Sequence, residues 1–136
     1  MKHRVCHVVR TYECDSYGHV NNAVYLNYLE YARREFLTAA GFDYRGLLAA
    51  GYLIYITHID IHYRAQAVLD DRLIIEAEPL KLRKVSGVFR QRVLKEDGTV
   101  CADAEVTWAC VNRDSVPHPI PPELLVPGLE PDSGAD

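Results

Sequence analysis

One segment limits the architectures open to this chain more than any other. From Ala23 to Ala40, the residues Tyr25, Leu26, Leu29, Ala32, Phe36, Leu37 and Ala40 recur at helical spacing. Gly41 then supplies a stop. The spacing predicts a helix of about five turns. Either Asn21 or Asn22 suits its N-cap, and Glu30 stands four residues before Arg34 in the favourable order. A helix apolar over more than half its circumference has to be wrapped by other elements, not merely laid on a surface.

The remaining pattern predicts that strands do the wrapping. Residues 3–13 alternate weakly through Val5, Val8 and Val9. Residues 43–50 suit a short second helix. In residues 52–64, Leu53, Tyr55, Ile59, Ile61 and Tyr63 share one face, with His58, Asp60, His62 and Arg64 on the other. Residues 72–84 read as a strand in which Pro79 forces a bulge or an edge position. Residues 86–95 and 99–112 are joined through Asp97-Gly98, a hairpin signal. In the last strand, Val100, Ala102, Ala104, Val106, Trp108 and Cys110 alternate with Cys101, Asp103, Glu105 and Thr107. The order strand, long helix, four strands predicts an α+β fold, with one curled antiparallel sheet of about five strands around a central helix. Such a sheet leaves one face uncovered, so a homodimer or homotetramer is expected.

A length of 136 residues bounds this to one domain. Hydrophobic residues at 49% and charged residues at 25% exclude disorder, collagen and coiled coil as whole-chain readings. Residues 1–113 are expected to form the domain, and 114–136 an extended or partly disordered tail that holds six of the seven prolines. Five acids and no Lys or Arg fall in that tail, so the net charge of −4 resides there. Lys81, Arg83, Lys84, Arg90 and Arg92 form a basic stretch that suits either a phosphorylated ligand or a solvated strand pair. A nucleic-acid partner would call for a more basic chain. No segment has the ~20 apolar residues that span a bilayer, and no secretory apolar run follows Met1. Cys6, Cys14, Cys101 and Cys110 match no zinc spacing, which suits free thiols in a reducing cytoplasm. All nine tyrosines lie between Tyr12 and Tyr63, so several rings are expected in a cleft or subunit contact around the helix.

The residues most suited to chemistry lie just before the helix. Asp15 precedes it by several residues, and Gly18 follows Asp15. First-turn N–H groups are unpaired and carry positive potential, so they can stabilise an oxyanion facing such a carboxylate. The same spacing also fits a plain capping carboxylate. His58, Asp60 and His62 share a strand face, but a metal usually needs a donor from another strand or helix as well, so no metal is expected. Cys14 has no activating base in view and reads as inert.

The run Asp15-Ser16-Tyr17-Gly18-His19-Val20-Asn21-Asn22, continued by Tyr25-Leu26 and Glu30-Tyr31-Ala32-Arg33, resembles the hotdog-fold acyl-CoA thioesterases of the 4-hydroxybenzoyl-CoA thioesterase type. The Gly18–Asn22 stretch is similar to a branch shared with acyl-carrier-protein thioesterases. The resemblance covers about residues 3–112 and returns at Tyr63 and at Ala67 to Leu73, with Gln66 where such proteins usually have Pro. It implies a hotdog fold and acyl-CoA hydrolysis without a cofactor. Asp15 would be nucleophile or general base. The Asn22 N–H would polarise the carbonyl, and His19 would be a nearby acid–base group. Gly18 and Tyr25 would line the site. Such proteins often hold the nucleotide around the position of Val85-Ser86-Gly87, so Arg83, Lys84, Ser86 and Arg90 are substrate-binding candidates, with the phosphate contact left open among Lys81, Arg83, Lys84, Arg90 and Arg92. A carrier-protein thioesterase and a non-catalytic acyl-CoA-binding protein are the alternatives.

Overall fold

The computed structural model describes residues 1–132. Its elements are strand β1 (His3–Val8), helix α1 (Val24–Ala39), helix α2 (Tyr44–Ala49), and strands β2 (Tyr52–Tyr63), β3 (Arg72–Leu82), β4 (Ser86–Lys95) and β5 (Val100–Asn112). The five strands form one antiparallel sheet in the order β1-β3-β4-β5-β2. Helix α1 lies across β3, β1 and β4. It buries Tyr25, Tyr28, Leu29, Ala32, Phe36 and Leu37 against Leu73, Ile75, Phe89 and Val93. Phe36 meets Phe89 edge-on at 5.2 Å between ring centres. The helix is not wrapped all round: Asn27, Glu30, Tyr31 and Arg34 stay exposed along its outer face.

Two bulges revise the strand faces read from alternation. The β2–β5 register shifts between Ile56 and His58, so Ile54 and Ile56, opposite Cys110 and Trp108, join Ile59 and Ile61 on the inner face. Leu53 and Tyr55, expected there, fall on the other side. One extra residue flips the parity of everything beyond it. A second shift, beside Val93 and Leu94, turns Cys101 into the core, where it is fully buried. The irregularity expected at Pro79 lies between Pro79 and Lys81.

The C-terminal stretch is not the free arm that its prolines suggest. Val111 bridges Pro117, and the His118 N–H donates to the Cys110 carbonyl at 2.9 Å. Two 3-10 turns follow at Pro122–Leu124 and Pro127–Leu129. Ile120 and Leu129 are buried in the core. Residues 133–136 of the expected tail lie outside the described residues.

The start of β4 is tightly packed. Gly87 pairs with Trp108, and a Cβ on Gly87 would stand 2.6 Å from the indole. Gly87→Ala is therefore expected to cost about 1–3 kcal/mol through overpacking, read as a lower denaturation midpoint. An unchanged midpoint would show that the ring swings aside freely.

Candidate active site

Bridges between Cys14 and Val20 and between His19 and Val68 close a tight loop around Asp15 and dock it on the segment joining β2 to β3. Gly18 turns it with a φ of +78°, in the left-handed region that favours glycine. The Asp15 N–H donates to the His19 carbonyl at 2.8 Å. Asp15 Oδ1 accepts the N–H groups of Tyr17 (2.9 Å) and His19 (3.2 Å). The carboxylate is exposed, and no group among the described residues donates to Oδ2. One oxygen therefore shapes the loop and the other faces outward. The imidazole of His19 is half-buried, makes no hydrogen bond to Asp15, and lies 6.5 Å from the Tyr17 ring.

The helix start sits beside this loop. Neither capping candidate holds the N-cap position, which falls to Ala23 without a side-chain cap. Asn21 instead closes the turn before the helix, its Oδ1 accepting the Ala23 N–H at 2.9 Å. Asn22 is exposed, and its carbonyl accepts the Tyr63 hydroxyl at 3.0 Å. Among the described residues, the Asn22 N–H has no backbone acceptor. An uncommitted donor thus stands just ahead of the positive end of the 16-residue helix, one residue before its N-cap Ala23.

Sequence reasoning missed the group that holds these parts together. Glu13 is buried, and its carboxylate accepts the Arg10 N–H (2.8 Å), the Tyr28 hydroxyl (3.0 Å) and a contact from His7 Nε2 (2.9 Å). Its own carbonyl accepts the Asn21 N–H at 2.9 Å. Burial pushes the Glu13 carboxyl up, but the Arg10 N–H, His7 and Tyr28 outweigh it and hold it below its ordinary value. Burial and then the Glu13 charge push the Tyr28 hydroxyl up. The only sequence signal was an acid among apolar positions two residues before Asp15.

The other expected site residues separate. Tyr25 is buried at 4% exposure, and its hydroxyl accepts the Ala67 N–H at 3.2 Å. It pins the β2–β3 segment and does not line the open cavity described next. Arg83 and Lys84 are exposed on the turn between β3 and β4, with no ion pair among the described residues, and Ser86 opens β4 beside them. Arg90 lies on the outer sheet face in register with Glu78 and Glu105, among acids that disfavour a phosphate. Arg92, from the same basic stretch, is tied to Glu76 at 2.9 Å. His62 contacts Asp60 at 3.1 Å, and no metal-holding group of side chains occurs among the described residues. Burial, then the Glu13 and Asp15 charges, push the Cys14 thiol up, away from reactivity.

A cavity of about 480 Å³ opens between α1, the start of β2 and the C-terminal stretch. Ile54, Ile56, Leu37, Phe89, Trp108, Ile120 and Leu129 give it apolar walls. Tyr31 and Tyr44 also line it, which places two of the nine tyrosines there. Arg33 supplies a polar spot, donating to the buried Gln91 side chain at 3.0 Å.

One curled antiparallel sheet packed on a long helix, with an aspartate loop at the helix start, is the hotdog architecture. Residues 9–127 match the model of the thioesterase-like superfamily. The long-chain acyl-CoA thioesterase FadM of Escherichia coli K12 is 38% identical over 105 residues, which cover 76% of this chain and 79% of that protein. The acyl-CoA thioester hydrolase YbgC of Escherichia coli O6:H1 is 35% identical, covering 76% of this chain and 79% of its own. The crystal structure of the probable thioesterase YbaW from Escherichia coli superposes with a TM-score of 0.78 at 35% identity, covering 89% of this chain and 92% of that one. The chain belongs to the thioesterase-like superfamily.

A depressed carboxyl pKa stabilises the fold above the unfolded value of about 4.3, and that stability is lost as pH falls through the folded value. Glu13→Gln is therefore expected to make stability fall less steeply below about pH 4. At neutral pH it should cost about 1–3 kcal/mol, by weakening bonds to a charged acceptor. Chemical denaturation at several pH values checks both, and parallel curves for the two proteins would refute the assignment.

Proposed function

We propose that this protein hydrolyses the thioester of an acyl-CoA to a free acid and CoA. The observation that carries the reading is the exposed Asp15 carboxylate, with one oxygen free of donors, in the loop that leads to α1 and its unclaimed Asn22 N–H, in a thioesterase-like chain. FadM and YbgC, similar over most of their length, are named for acyl-CoA hydrolysis. In this mechanism the Asn22 N–H and the helix start polarise the carbonyl. Asp15 attacks the carbonyl carbon, or takes a proton from the water that does. The C–S bond breaks and the thiolate leaves. An acyl–Asp15 anhydride formed by direct attack is then cleaved by water, which releases the acid and regenerates the carboxylate. A proton that Asp15 instead takes from attacking water passes on to the thiolate. Cys101 and Cys110, buried free thiols, suit a reducing, cytoplasmic setting.

The active unit on this reading is a dimer formed through β2. That strand is a 12-residue edge exposing Tyr55, Ile56 and Tyr63, a surface that invites pairing with a second copy. Within one chain, the Asp15 loop docks near the start of β3, whereas Arg83 and Lys84 follow its end. Eleven residues at about 3.3 Å each put roughly 35 Å of strand between them. Antiparallel pairing of two β2 strands about their middle brings the Tyr63 end of one beside the Tyr52 end of the other. Each Asp15 loop then approaches the cavity and the Arg83–Ser86 turn of the opposite protomer. Arg83 and Lys84 are the phosphate ligands this arrangement favours.

Asp15→Asn preserves the acceptor that shapes the loop, so its melting temperature should match wild type while turnover falls by about 10² or more. Near-wild-type thiol release by this variant would exclude the mechanism. A second experiment tests the shared site by mixing Asp15→Asn chains with Arg83→Ala/Lys84→Ala chains. Heterodimers carry one intact composite site, so statistical exchange should restore about a quarter of wild-type activity. No recovery after demonstrated exchange would put both groups in one chain's site.

A further inference from the structure

The C-terminal stretch contributes to the cavity and not only to the outside of the fold. Ile120 and Leu129, from either side of the first 3-10 turn, both line the cavity and are 7% and 3% exposed. The stretch is fixed in place rather than draped. The His118 ring lies 4.6 Å from that of Tyr52 at the start of β2. At Gly128 a Cβ would stand 2.9 Å from the Cβ of Ala40, so this backbone is pressed against the end of α1. The opposing walls, Phe89 and Trp108, belong to the central strands and have little freedom to move.

We propose that this proline-rich stretch is the specificity wall of the site, with Ile120 and Leu129 setting the size of acyl group that fits. The proposal rests on the acyl-CoA reading and names the occupant of the cavity as the acyl chain of that substrate. Apolar walls recognise an acyl chain by its length and bulk, because each buried methylene contributes about 0.8 kcal/mol and an overfilled cavity repels. Prolines suit such a wall, since fixed φ angles lower the entropy lost in holding it.

The test compares kcat/KM across saturated acyl-CoAs of increasing length for wild type, Leu129→Ala, Ile120→Trp and Leu125→Ala. Leu125 is 42% exposed and lies outside the cavity lining, so its variant controls for general loosening of the stretch. Leu129→Ala should raise the ratio of long-chain to short-chain kcat/KM at least fivefold, Ile120→Trp should lower it at least fivefold, and Leu125→Ala should leave it alone. A uniform fall at every length, with a lower melting temperature or loss of the dimer, would overturn the proposal by making the stretch a structural strap. An unchanged ratio in both cavity variants would overturn it equally, while leaving acyl-CoA hydrolysis intact. Absence of hydrolysis in wild type itself would instead overturn the underlying reading and this wall with it.

Discussion

Glu13 places a carboxylate beneath the first turns of α1, where desolvation acts to neutralise it. It stays charged because donors from three separate pieces of chain converge on it: the Arg10 backbone, His7 on β1 and Tyr28 on α1. Each donor would be costly to leave unpaired, so the charge fixes strand, loop and helix relative to one another. The Glu13 carbonyl then takes the Asn21 N–H, and the Asn21 side chain takes the Ala23 N–H in the turn that leads into the helix. Between these fixed points the chain has little choice of path, and Asp15 stands at the loop it must make. Placement of the outward carboxylate follows from an interaction that does not touch it.

The sheet sets a second constraint. Helix α1 covers β1, β3 and β4, but the inner face of β2 runs past it. Ile54 is only partly buried and Ile56 is 43% exposed. The cavity is what remains between the helix and that overhang, and the same strand is an open edge. One pairing event would satisfy the free backbone groups of β2 and close the side of the cavity. On the proposed reading, Asp15 and the Arg83–Lys84 pair lie at opposite ends of β3 within one chain, and pairing through β2 is what would bring them together.

The long elements were legible because each obeys one period over many residues. The α1 face apart from the exposed Leu26, the Asp97-Gly98 turn and the β5 alternation from Ala102 onward are where their patterns place them. What failed to show were events that interrupt a period. The extra residue at Thr57 moves Ile54 and Ile56 inward, and the one near Cys101 buries a thiol read as outward. Nothing in local composition marks either, since a bulge is settled by pairing with a distant strand. Tyr25 illustrates the limit at the site: the helical period put it on the apolar face, but only the fold shows that its hydroxyl serves the Ala67 N–H. The basic stretch divides for the same reason. Arg90 and Arg92 gain acidic neighbours from β3 and β5, whereas Arg83 and Lys84 sit on a turn and gain none.

The sparseness of the chemical groups around Asp15 agrees with the proposed reaction. Asn22 carries an amide that cannot exchange a proton near neutral pH. The His19 imidazole is not joined to Asp15, and the Cys14 thiol is pushed away from its reactive form. An ester or amide would demand an acid for its leaving group. A thiol ionises at about 8.5, so a thioester releases its leaving group as thiolate without that help. Polarisation of one carbonyl and delivery of one nucleophile then complete the list of requirements. A helix N-terminus and a carboxylate with one free oxygen meet both.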